Sequence, residues 1–259
     1  MARRNNVPGI PTFAGLVAEG WALFRRDSDL LIRVAGPFIF LPAFALTLLV
    51  APFPMPDDAI ADAPARAQAW MTAVDGWMGD YGLGCVLAYF VTYYGIALVY
   101  CLMLDPARPT VGQAMRRAIR LYPRFLLATM VASVPAGAGM YLLLLPGLWL
   151  MSRFMLTGPA LVAEAPVGAL AAVGRSWRRT RRAQLSLLGA TAFVYLAAML
   201  AGQPFLLLAT WLGQGGANPL GVAIADAVAA AVASAAQVAG ALIAVVAYRR
   251  LGPGRSGAK

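Results

Sequence analysis

Histidine is absent from the 259 residues, there are only two cysteines, and charged residues make up 12%. Without histidine the chain lacks the commonest general base and metal ligand. Cys85 and Cys101 lie on one apolar run, roughly 24 Å apart if it is helical, so they do not bridge within it and read as small core residues. A soluble domain usually carries about 25% charge. Low charge, 61% hydrophobic residues and a mean hydropathy of +0.70 instead put this chain in a membrane. The net charge of +10 lies between apolar runs, where it sets topology, and no nucleic-acid partner is expected. Zinc, EF-hand and nucleophile-elbow patterns are missing from the sequence. Gly213, Gly215 and Gly216 resemble a loop and not a phosphate cradle, so no cofactor, metal or catalytic residue is expected.

What is present is apolar and long. Six segments can cross a hydrocarbon core of about 30 Å: 30–50, 83–104, 125–145, 148–163, 185–207 and 221–248. Pro37, Pro42, Pro135, Pro159 and Pro204 fall inside them and favour kinks. The first run begins too late and runs too long for a cleavable signal, so the N-terminus is expected to be retained. The expected fold is an all-α integral membrane protein forming one six-span domain over 1–259. It divides into a cytoplasmic amphipathic segment (1–29), a hairpin with an acidic outer loop (30–104), a hairpin with a basic lead (105–163), a hairpin with an Arg-rich lead (164–248) and a cytoplasmic tail (249–259).

Orientation follows from the basic residues. Segments 1–29, 105–124, 164–182 and 249–259 hold 18 of the 21, whereas the opposite connections hold Arg66 beside Asp57, Asp58, Asp62, Asp75 and Asp80. Positive charge resists translocation, so both termini are expected in the cytoplasm of a bacterial inner membrane. Trp21 and Trp177 would anchor that face, and Trp70, Trp77, Trp149 and Trp211 the far one.

Stretches opening at Pro11, Pro109 and Pro166 precede the odd-numbered spans, and each gathers arginine towards its end. Apolar residues at spacings of three and four give each an amphipathic face. They fit three units of interfacial helix plus transmembrane hairpin, or simply the shared demands of cytoplasmic loops.

Arg33, Arg153, Glu164 and Asp226 lie in or beside apolar runs, where a charge needs a partner, a headgroup or water. Depth places Arg153 and Asp226 near the outer side and predicts their pairing. Glu164 is roughly 16 Å from Arg153 along a helix and would meet Arg33 or a cytoplasmic arginine instead. Such pairs hold helices together or form a polar site for a headgroup or solute. Arg116, Arg117, Arg120, Arg175, Arg178, Arg179, Arg181 and Arg182 are a solvated, topology-setting face and candidate contacts for anionic lipid. The small-residue run 226–242 permits close helix approach, within the chain, to a second copy or to another membrane protein.

The stretch 146–182 opens on Pro146 and Gly147, passes Arg153, Pro159 and Glu164, and reaches Ser176, Trp177 and Arg178. With Leu145 it matches the pattern IPGxxLxxRxxLxxPxLxxE followed by an Arg-rich helix. In this it resembles the glycerophosphoryl diester phosphodiesterase membrane-domain family, which is similar to YciC-like bacterial inner-membrane proteins. The segments 51–80 and 208–220 depart from that pattern. The resemblance implies a multi-spanning helical domain connected with envelope or lipid homeostasis. It does not imply the diesterase activity, which belongs to a separate soluble barrel with histidines and a metal. The expected function is a non-catalytic inner-membrane protein that contacts anionic lipid. The alternative is a transporter or lipid-translocating protein with a polar path through Arg153, Gln203 and Asp226.

Overall fold

The computed structural model describes residues 11–214 and 218–252, and among these it contains helices and no strand. Helix α1 (Phe13–Arg26) starts where the Thr12 hydroxyl accepts the Gly15 N–H at 3.2 Å. Leu16, Gly20 and Leu23 form its buried face, and Arg25 and Arg26 complement its C-terminal dipole. Helices α2 (Ser28–Ala35) and α3 (Leu41–Leu49) are joined by a wide π-turn over Gly36–Phe40. Pro37 has no N–H for the regular helical ladder, which accounts for the widening. The turn presses Phe38 and Ile39 against α4 (Ala63–Leu104) at Gly95, where an added Cβ would stand 2.7 Å from that of Phe38.

At 42 residues α4 is roughly 63 Å long, far more than a bilayer core needs. The acidic segment expected to loop over 51–80 is therefore helical from Ala63, with Asp62 as its cap. Trp70 and Trp77 donate indole N–H bonds to the carbonyls of Pro54 (3.0 Å) and Ala51 (2.8 Å), fastening the preceding chain to α4.

Next come α5 (Val111–Leu142), α6 (Leu144–Phe154), α7 (Thr157–Ala163) and α8 (Ala169–Thr180). A 3-10 turn at Arg181–Ala183 leads into α9 (Gln184–Gly213), and α10 (Pro219–Leu251) completes the described chain. A reciprocal Thr110–Gln113 capping box starts α5, which passes from its basic lead into its apolar half without a break. Helix α6 folds back on α5 through two glycines. A Cβ on Gly147 would lie 2.5 Å from the Met140 backbone nitrogen, and one on Gly139 only 3.0 Å from the Gly147 Cα. The three arginine-bearing leads thus join their spans differently: at the Asp27 break, inside α5, and across the 3-10 turn.

Among the described residues four helical stretches are long and apolar enough to cross a membrane: Ser28–Leu49, Ala63–Leu104, Ala169–Gly213 and Pro219–Leu251. The apolar half of α5 and the interrupted α6–α7 pair fall outside these four. The core lies toward the C-terminal ends of α4 and α10, where Ala97–Met103 and Ala241–Tyr248 are buried on every side. Arg249 donates to the Met103 carbonyl at 2.5 Å, tying these two ends together. The small residues of α10 serve an extensive packing against α9. Cys85 and Cys101 are both free, the latter buried.

Candidate functional site

Two polar nodes lie along α6, α7 and α8, within the stretch that carried the resemblance. The first is Glu164, at the C-terminal end of α7. Its carboxylate is paired with Arg175 and Arg179, one turn apart on α8, and accepts the Tyr248 hydroxyl of α10 at 2.6 Å. Burial alone would raise the Glu164 pKa, but the hydrogen bonds from Arg179, Tyr248 and Arg175 outweigh it and hold the carboxyl below its ordinary value. Arg179 also lies over the Tyr248 ring, 5.8 Å from its centroid. Beside this node Arg117 pairs with Asp105 and donates to the Val162 carbonyl at 3.1 Å, clipping α5 to α7.

The second node is the interruption between α6 and α7, where backbone groups near Met155 lose helical partners. Ser176 supplies them: its hydroxyl donates to the Arg153 carbonyl at 2.7 Å and accepts the Leu156 N–H at 3.1 Å. The Thr180 hydroxyl reinforces the same carbonyl at 3.4 Å. The Arg153 guanidinium is buried, with its centre 4.2 Å from the Trp177 ring centroid and 5.7 Å from that of Trp149. Among the described residues its one side-chain hydrogen bond goes to Gln184 Oε1 at 3.3 Å, and Gln184 in turn donates to the Ser152 hydroxyl at 2.7 Å. Aromatic faces thus stand where a carboxylate was expected.

The predicted pairs rearrange accordingly. Arg153 and Asp226 form no ion pair. Arg153 meets Gln184 at the first residue of α9. Asp226 lies between Val222 and Val232 of α10, which face Gly213 and Gly202 near the other end of α9. The two are separated by roughly 35 Å along that helix. Asp226 is buried without an ion partner among the described residues, and Gln203 is exposed. Arg33 is likewise exposed and does not pair with Glu164, which takes the other expected course and meets Arg175 and Arg179. Trp149 and Trp177, expected on opposite faces, meet edge to face at 5.4 Å, so the two do not serve as separate anchors of opposite faces.

The eight candidate lipid-contact arginines divide in two. Arg117, Arg175 and Arg179 are partly buried and ion-paired. Arg116, Arg120, Arg178, Arg181 and Arg182 are exposed, with no ion pair among the described residues. Arg116 and Arg120 border a hollow of about 390 Å³ that also takes in Gln113, Arg117 and Leu121.

The sequence pattern marked Ser176 only as part of the motif and gave it no partner, and Thr180, Gln184 and Tyr248 went unmarked. The hydroxyl residues of α8 are Ser176 and Thr180. A signal for these two was legible: with Ala169 and Ala172 they follow the three- and four-residue spacing of α8's buried face. Hydroxyls on such a stripe need a buried acceptor. No protein-family model, curated protein or solved structure matches this chain. Fold and composition define the class: a protein helical throughout its regular structure among the described residues, with four helical stretches there suited to membrane crossing.

Proposed function

We propose that this chain is a multi-pass bacterial inner-membrane protein that holds anionic lipid headgroups against its arginine-rich end, in support of envelope or lipid homeostasis. In this reading it is a non-catalytic member of the family it resembles. The apolar half of α5 and the α6–α7 pair add two crossings to the four long ones, placing both termini in the cytoplasm. One observation carries the proposal: Arg116, Arg120, Arg178, Arg181 and Arg182 stand exposed on α5 and α8 with no carboxylate to satisfy them among the described residues. Each such cation contributes about 1 kcal/mol near an anionic membrane surface. The transport alternative is less well supported, because Arg153, Gln203 and Asp226 do not adjoin along one path.

The test reconstitutes the wild type and a five-fold Arg→Gln variant at these positions into nanodiscs of graded anionic-lipid content. Enrichment of anionic lipid around the wild type, lost in the variant and at high salt, is the expected result. Equal lipid composition around both proteins would overturn the proposal.

A further inference from the structure

A second feature lies away from the arginine nodes, between α1, α2, α9 and α10. It is a cavity of about 520 Å³, within the usual range of a small-molecule site. Its walls include Trp21 and Phe24 of α1, Ile32 of α2 and Phe193 of α9, and Ala235 and Ala239 of α10 form part of its floor. Along α10 the lining extends from Val232 to Ile243, roughly 17 Å. Beside their packing against α9, the small side chains of α10 leave a gap on this side.

The chemistry of the lining narrows the occupant. The only hydroxyl is that of Ser234, and it donates to the Ala230 carbonyl of its own helix at 2.7 Å. The Trp21 indole N–H is the other polar group, so water or a polar solute would find few partners, and apolar walls of this extent forfeit dispersion contacts unless the slot is filled. The material at hand around such helices is hydrocarbon. One end of the slot is barred by α1, which Gly20 brings against Ile243 and which an ion pair from Glu19 to Arg250 holds in place. Arg25, one turn beyond Trp21 on α1, is exposed and has no ion pair among the described residues. It therefore offers charge complementary to a phosphate above the slot.

We infer that the slot holds one acyl chain of a bilayer phospholipid, lying under α1 with its phosphate toward Arg25. This rests on the lipid-contact reading above but on different residues. The experiment counts phospholipids retained by the full chain in mild detergent, using native mass spectrometry. Filling the slot with Ala235→Phe and Ala239→Phe together is expected to lower the retained lipid about tenfold. Val134→Phe, on the exposed face of α5, is expected to leave it unchanged. An independent measurement needs no filled variant: acyl chains brominated near mid-chain should quench the wild type more than Trp21→Phe, because Trp21 lines the slot.

Unchanged lipid retention in the folded double variant would overturn the inference, as would equal quenching of the wild type and Trp21→Phe. So would a fall in subunit number on filling, which would make the occupant a second copy of the chain. If the five-arginine variant loses its anionic-lipid preference while the filled slot retains its lipid, the slot fails and the headgroup reading stands. The reverse pattern sustains the slot and removes the headgroup reading.

Discussion

The Ser176 hydroxyl and the Arg153 carbonyl, on helices separated by 23 residues of chain, meet at 2.7 Å in a buried position. That contact, with the Leu156 N–H donating to Ser176 Oγ, gives partners to two backbone groups where α6 stops and α7 begins in the interior. Ser176→Ala leaves the Leu156 N–H without its partner and the Arg153 carbonyl with only the longer Thr180 contact, while adding no bulk. Stranding a buried donor costs about 1–3 kcal/mol. The variant should therefore show a clearly lower thermal midpoint in detergent, whereas an exposed hydroxyl such as Thr210 should be replaceable by Ala with little change.

Arg153→Lys keeps the charge but loses the planar group that lies on Trp177 and Trp149. A destabilisation of about 1–2 kcal/mol is expected, with a weakened near-ultraviolet circular dichroism signal from the indole pair. A lysine variant matching the wild type in both would show that the stacking contributes nothing.

Glu164 predicts a pH response of definite sign. Its carboxyl is held below the ordinary 4.5, so its contribution to stability is complete above that value and is lost as pH falls through the lower folded-state pKa. Going from pH 7 to pH 5 should leave stability unaffected by this group, and further acidification should erode it. Glu164→Gln should lower stability at pH 7 by about 1–3 kcal/mol, discounted because Arg175 and Arg179 keep some exposure, and should flatten the acid limb. Chemical denaturation across that pH range checks both.

Two glycines should respond to alanine with opposite signs. At Gly147 the new methyl meets the Met140 backbone and α6 must move off α5, costing about 3 kcal/mol or more. At Gly76, in the exposed part of α4, nothing lies within 4 Å of an added Cβ, and alanine should stabilise by about 0.5–1 kcal/mol. Parallel melting curves suffice.

Reporter tags at the two chain ends should both face the cytoplasm, and a tag inserted between α3 and α4 should face the opposite side. End tags reporting different compartments would remove the six-crossing arrangement.

Much of the fold was legible because it depends on local quantities. Apolar run lengths, the proline at position 37, and the helix starts near Pro11 and Pro109 act within a few residues of themselves, whereas the start of α4 behind Asp62 fell inside a segment expected to be a loop. The segregation of arginine from aspartate is likewise a property of the chain's order. The α6–α7 interruption was hidden, since its backbone is completed by a serine 20 residues beyond Leu156. The site was legible only as a set of residues in search of partners.

By itself, then, the sequence determined the class of protein, the apolar helical runs, and which charges had to be accommodated, for the hydrophobic effect and helix propensity act on composition and short-range order. Only the tertiary structure decided the partners. Position along a helix says nothing of which neighbour its side chains face, and so it could not show that Arg153 rests on tryptophan rings at one end of α9 while Asp226 lies near the other.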